Sequence, residues 1–188
     1  MRAGGRVLAC VALWGCVTSG AGNQTDLPPG YPPKIGAVVA DLNGVGQHWD
    51  VYDYSIGALD AAAQIIDYDG VIQFRLLGQP AGDPDVENNR LTLKGTLPGK
   101  LATGPLAGAL IEVIAGKDWT GLRLSSSGQA VAVVLDEVTD RGPGGYGHAK
   151  GHFRAVVCSA NGNPVRVDRK LCQPISGSFD TDLQFSNH

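Results

Sequence analysis

Several things are scarce in this chain, and each scarcity excludes something. Basic residues are outnumbered, 15 Lys and Arg against 18 Asp and Glu, for a formal charge of −3. Binding nucleic acid without sequence preference needs a net basic face, so no nucleic-acid partner is expected. Phosphate-cradling motifs are missing: there is no GxxxxGK[ST], and no GxGxxG follows a strand pattern. Ser125-Ser126-Ser127-Gly128 is polar and turn-like, not the G-x-S-x-G elbow of a hydrolase. Cysteine is limited to four residues, none in the C-x₂-C spacing of a zinc site. Apolar runs are short. Val7–Trp14 (VLACVALW) is a run of eight, far below the ~20 residues that cross a bilayer as a helix. No internal repeat and no second domain are visible.

What that short run does fit is the apolar centre of an export leader. Arg2 and Arg6 supply the positive charge ahead of it, and losing them would leave the remainder at about −5. Two processing sites compete. Ser19-Gly20-Ala21 offers small residues for cutting after Ala21, which makes 1–21 a signal peptide. Leu13-Trp14-Gly15-Cys16 resembles a bacterial lipoprotein box in which Cys16 would be lipidated, although Trp14 is bulky for such a box. The next stretch, 22–34, carries Pro28, Pro29, Pro32 and Pro33 and hardly any large apolar residue, as a spacer does. An exported chain follows, either held at the membrane by a lipid anchor in the cell envelope or released to the periplasm or medium. Asn23-Gln24-Thr25 fits the glycosylation triplet, which matters only in a eukaryotic secretory pathway.

Either processing route takes Cys10 away and leaves Cys158 and Cys172 as a pair in an oxidising compartment. They flank Asn161-Gly162-Asn163-Pro164, a strong turn signal, so a disulfide there clips a hairpin.

Residues 35–188 read as one β-rich domain. Leu91, Leu93, Gly95 and Leu97 alternate with Thr92, Lys94 and Thr96, the pattern of a half-buried strand. Ile175, Gly177, Phe179, Thr181, Leu183 and Phe185 alternate with Ser176, Ser178, Asp180, Asp182 and Gln184 in the same way. Phe153, Ala155 and Val157 form a third set, and Ile72, Phe74 and Leu76 a fourth after the Asp69-Gly70 turn. Ala107–Ala115 and Ala130–Leu135 are apolar at both parities, which suits strands covered on both faces. Residues 58–66 fit one short helix or another strand. Eight or nine strands with Gly, Pro, Asn and Asp turns predict an antiparallel β-sandwich or flattened barrel. The longest irregular stretches expected are 78–90 and 139–150, the latter running into a glycine-rich loop.

The lipobox-like Cys16, the Pro-rich tether, the GPGGYGHAKGHF segment and the final ISGSFDTDLQF strand together resemble exported bacterial β-sandwich lipoprotein domains of unknown function. Their G-x-F strand ends are matched by Gly151-His152-Phe153 and Gly177-Ser178-Phe179. The likeness covers about residues 35–185; it implies fold and compartment and carries no catalytic residue over.

Candidate site residues are few. Asp83, Asp85 and Glu87 gather oxygen ligands in one loop, as calcium requires, but without the spacing of an EF-hand; a solvated acidic loop explains them equally. His148 and His152, four apart, could start a zinc or copper site if His48 arrived as a third ligand. The alternative is a pair of exposed loop histidines. Tyr146, in the glycine-rich segment, is the aromatic best placed to meet a ligand such as a sugar, whereas Trp49 and Trp119 read as core. Charge is uneven: 41–90 holds nine acids and two bases, and 141–172 six bases and one acid. These are either two solvated faces or, for the second, a surface for a polyanion or acidic lipid headgroups. The expectation is a non-catalytic envelope protein with a binding or structural role. The alternatives are a calcium- or carbohydrate-binding sandwich and an exported hydrolase or metal-dependent enzyme using His148 or His152.

Overall fold

The computed structural model describes residues 32–54, 62–83, 89–115, 122–140, 142, 146–162 and 165–187. Cys16, the processing sites, Asp85, Glu87 and Trp119 lie outside them. The described residues form strands and no helix. The strands are β1 (Lys34–Leu42), β2 (Val45–Tyr52), β3 (Ala63–Tyr68), β4 (Val71–Pro80), β5 (Leu91–Pro98), β6 (Gly104–Pro105), β7 (Ala107–Ala115), β8 (Leu122–Ser125), β9 (Val131–Thr139), β10 (Gly147–Asn161) and β11 (Arg166–Asn187). Two tight hairpins use the turn chemistry that a right-handed strand twist demands. Asn43-Gly44 joins β1 to β2 and Asp69-Gly70 joins β3 to β4, with positive φ at all four residues, a geometry that Asn, Asp and Gly tolerate best.

The all-β expectation holds, and the strands assemble in a single sheet. All eleven belong to one mixed sheet that curls into a ring without forming a regular barrel. The two longest strands make this possible, because each serves two neighbours in succession along one edge. β10 pairs with β9 over His148–Ala155 and with β8 over Cys158–Ala160. β11 pairs with β1 over Ile175–Thr181 and then, in parallel, with β3 over Gln184–Asn187. That last pairing closes the circuit through β4, β5, β7, β8 and β10 back to β11. It is the one parallel pairing among the described strands and is why the sheet is not purely antiparallel.

Three local expectations change. The glycine-rich segment is not loop throughout, since β10 begins at Gly147 and already contains His148 and His152. The 58–66 segment is strand from Ala63 onward, residues 55–61 being outside the described set. β7 and β9, expected to be covered on both faces, bury one face only: Ile111 and Val113 in the first, Val133 and Leu135 in the second. A ring of one sheet has a single interior, so the second face of each strand stays at the surface.

The interior is filled from strands all around the ring by Val38, Trp49, Phe74, Leu93, Ile111, Leu135, Phe153 and Leu183, among others. Its tightest point explains the two G-x-F motifs. β10 and β11 run antiparallel with Gly151 opposite Phe179 and Phe153 opposite Gly177, so each Phe faces the other motif's Gly. A Cβ on Gly151 would lie 2.2 Å from the Val134 carbonyl oxygen and 2.4 Å from the Phe179 ring. The ring thus lies over bare backbone, an arrangement known to pin strand register. From there Phe179 crosses the interior to Phe74 on β4, with ring centroids 5.6 Å apart.

Cys158 and Cys172 are direct partners across β10 and β11 and form a disulfide, with Cα atoms 3.9 Å apart. Just beyond it the register slips. Cys158 faces Cys172 but Ser159 faces Asp168, so Arg169, Lys170 and Leu171 have no partner on β10 and bulge from the ladder.

Two stability predictions follow from this packing. Gly151→Ala should lower the unfolding free energy by about 2 kcal/mol, because the obstructing carbonyl is backbone and cannot move aside freely; the urea midpoint measures it. Replacing both Cys158 and Cys172 by Ser should remove about 3 kcal/mol, the chain-entropy value for a loop of this size, read in the same titration.

Candidate functional site

The sequence-predicted histidines both lie on the outer face of β10, four positions apart along the strand and so about 13 Å from each other, too far to share one metal ion. Alternation sends Gly147, Ala149, Gly151 and Phe153 into the ring and leaves His148, Lys150, His152 and Arg154 outside. On β11 the outward set is Ser176, Ser178, Asp180 and Asp182. The register sets base against acid, with His148 opposite Asp182 and Lys150 opposite Asp180. His148 spans both carboxylates, Nδ1 lying 2.9 Å from Asp182 Oδ1 and Nε2 3.0 Å from Asp180 Oδ1. Lys150 Nζ is 3.4 Å from Asp180 Oδ2.

The third carboxylate reaches this face by a bulge. Gly151 pairs with Leu135 and Lys150 with Glu137, so Asp136 is an extra residue between them. Leu135 points inward, and both Asp136 and Glu137 are exposed. Asp136 Oδ2 then lies 2.8 Å from His152 Nδ1. Such bulges redirect side chains. Beside them is an open depression of about 370 Å³, lined by Ala37, Val39, Asp136, Glu137, Lys150, Gly151, Ser178, Phe179 and Asp180.

Both ring nitrogens of His148 are engaged by different carboxylates, so a metal would have to displace one of them. No group of three or more His, Cys, Asp and Glu is poised to hold a metal among the described residues. His48 sits on β2, where its Nε2 lies 3.4 Å from Asp50, and it does not join the other two. Asp83 is described, with its backbone N–H donating to the Pro80 carbonyl at 2.9 Å. Ser178 stands directly across from His152, itself paired with Asp136, so a serine, a histidine and an acid share one row. The carboxylates of Asp136, Glu137 and Asp180 line the same depression, however, and would oppose the oxyanion that acyl transfer builds. The ion pairs are at the surface, with Asp136 49%, Asp182 51% and Asp180 60% exposed. Pairs of this kind stabilise a fold by only about 0–1 kcal/mol, so the ordered charge shapes the surface far more than it holds the protein together.

A second polar cluster, which sequence reading missed, lies at the end of β2. Asp50 is 3% exposed. One carboxylate oxygen is 2.6 Å from Lys34 Nζ. The other accepts the Tyr52 hydroxyl at 3.2 Å and the Gly82 N–H at 2.9 Å. Burial pushes the Asp50 carboxyl up, but Lys34, Gly82 and Tyr52 together outweigh it and hold it below its ordinary 3.8. Tyr52 is pushed up to about 12, first by burial and then by the neighbouring Asp50 charge. Nearby, Asp53 accepts Gln184 Nε2 at 3.0 Å and also the Tyr146 hydroxyl. Tyr146 therefore ties the entry of β10 to the residue just after β2 and is 36% exposed. Trp49 is core, as expected, at 4%. Gln79, opposite Asp50 on β4, is fully buried with neither amide atom hydrogen-bonded. A period-two reading placed Asp180 and Asp182 on the same wet face as each other. Nothing local marked Asp136, Asp50 or Lys34, whose roles depend on which strands become neighbours.

The Asp50 cluster generates a two-sided pH dependence. A lowered Asp50 means that its stabilising contribution is whole above its unfolded value of 3.8 and is lost as pH falls through the lower folded value. A raised Tyr52 contributes fully below 10.0 and loses that contribution as pH climbs to about 12. Thermal melts across pH should show both limbs. Lys34→Ala should cost about 1.5 kcal/mol at neutral pH and flatten the acid limb, and Tyr52→Phe should flatten the alkaline one.

Compared with known proteins, the chain matches no family model, no curated protein and no solved structure, so its function has to be read from the chemistry of these two clusters and the strands that carry them.

Proposed function

We propose that this is a non-catalytic protein exported to the bacterial cell envelope, lipid-anchored through Cys16 or secreted, with a binding or structural role. The observation that carries this reading is the Cys158–Cys172 disulfide, a bond that persists in oxidising compartments and is rare where thiols are kept reduced. The leader-like start of the chain and the Pro-rich spacer support it. The binding role draws on the outer face of β9–β11, where exposed carboxylates and cations are held at set positions by strand register instead of being left on flexible loops.

Mass spectrometry of the mature N-terminus tests the reading. A diacylglyceryl-modified Cys16 as first residue is expected, and Cys16→Ala should move the protein from the membrane to the soluble fraction. An unmodified chain starting at Gly22 would replace the anchor by free secretion. Recovery of the uncleaved chain from the cytoplasm would overturn export altogether.

A further inference from the structure

The three-residue bulge on β11 has no role in the sheet, and its composition is distinctive. It presents Arg169, Lys170 and Leu171, all exposed, with Leu171 at 62%. Because Ser159 already faces Asp168 while Cys158 faces Cys172, the three residues add nothing to the ladder. Deleting them would leave a regular hairpin. The disulfide closes the base of the bulge on one side. On the other, Asp168 turns its carboxylate onto the Lys170 N–H at 3.0 Å. The protrusion is thus shaped at both ends.

Its surroundings extend the same character. Arg166, on the same hairpin, is exposed, and among the described residues Arg166, Arg169 and Lys170 form no ion pair. Lys34, Arg123 and Lys150 each have a carboxylate; Arg75, Lys94 and Arg154 have none among the described residues either, but they stand on regular strands, whereas Arg169 and Lys170 stand on a protrusion next to an exposed leucine. Asp168, the one acid on this part of β11, is occupied with the backbone. Leu122 on the adjoining β8, whose Arg123 pairs with Ala160, is 54% exposed. Unpaired cations beside the exposed Leu171, on a chain that is acidic overall, complement a surface that is anionic at its face and apolar just beneath. An anionic lipid bilayer is such a surface.

We infer that the Arg169-Lys170-Leu171 bulge is a bilayer-contact element: the cations meet anionic headgroups and Leu171 enters the interface. This rests on the reading of the protein as membrane-anchored, and the dimensions agree with it. β1 begins at Lys34, beside the C-terminal part of β11, and the bulge lies ten residues back along β11 from Thr181, about 33 Å at strand rise. Eighteen residue steps separate Cys16 from Lys34; fully extended in a polyproline conformation they would reach about 56 Å. An anchor at Cys16 therefore leaves slack for the far end of the domain to turn onto the same bilayer.

Vesicle co-sedimentation tests this on the full mature chain carrying Cys16→Ser, so that no acyl chain contributes. The protein should pellet with vesicles of phosphatidylglycerol in phosphatidylcholine, should release in high salt, and should not pellet with phosphatidylcholine alone. Arg169→Glu with Lys170→Glu should weaken binding by more than about tenfold, and Leu171→Ser by about threefold. The same charge change at exposed Arg75 and Lys94, on β4 and β5, should leave binding within about twofold. Equal binding to both vesicle types, no binding to either, or an equal loss from the Arg75/Lys94 change would overturn the inference. Thermal melts confirm that each variant is folded, since none of these side chains is buried. Failure here would leave a lipidated Cys16 standing, and an unmodified Cys16 would leave vesicle binding standing, so the two readings fail separately.

Discussion

The packing of Phe179 against the bare backbone of Gly151 is the contact on which the rest of the molecule depends. A sheet closed into a ring must fill one interior from all sides, and side chains at the seam between its two longest strands would collide if both were large. Placing Gly opposite Phe twice, in opposite order, resolves the conflict. Gly151 makes room for Phe179, Phe153 stands opposite Gly177, and Phe179 is free to reach Phe74 across the interior. The same contact sets register. A slip of one residue on either strand would bring Phe179 against a side chain, and would turn His148, Lys150 and His152 inward if β10 moved or Asp180 and Asp182 inward if β11 did. The outward ladder of His148, Lys150, Asp180 and Asp182 is therefore a consequence of interior packing.

Charge is distributed according to the same frame. Inside the wall, Asp50 is tolerated because a lysine, a backbone N–H and a tyrosine hydroxyl converge on it, which compensates for the loss of water. Outside, carboxylates are left in solvent, where pairing with His148, Lys150 and His152 does little for stability but fixes their positions. The hairpin end differs again. There the cations are unpaired and leucines are exposed, and the disulfide sits directly beneath. The molecule thus has an ordered, predominantly acidic flank and a basic, partly apolar tip at the two ends of one pair of strands.

Much of the fold was legible in the order of residues because strand alternation is local: a side chain's face depends only on its parity. That is why Ile175 to Phe185 and Phe153 to Val157 read correctly, why Asp69-Gly70 was recognised as a turn, and why the two late cysteines were expected to clip a hairpin. Where the reading failed, the deciding contact was distant in sequence. Ala107–Ala115 is apolar at both parities, yet only the interior of the ring covers it. The GYGHAKGH stretch reads as loop from its glycines, although Gly147 and Gly151 are strand positions vacated for Phe185 and Phe179.

By itself the sequence determined the class of element, the inward and outward faces of the late strands and the hairpin clip, since each rests on neighbours within a few positions. Tertiary structure alone decided that the strands join in one ring instead of two stacked sheets, because closure depends on β11 being long enough to leave β1 and reach β3 in parallel. It likewise decided which carboxylate meets which histidine, and that Arg169, Lys170 and Leu171 leave the ladder: the spacing of Cys172 and Asp168 becomes a protrusion only when Cys158 and Ser159 stand opposite them.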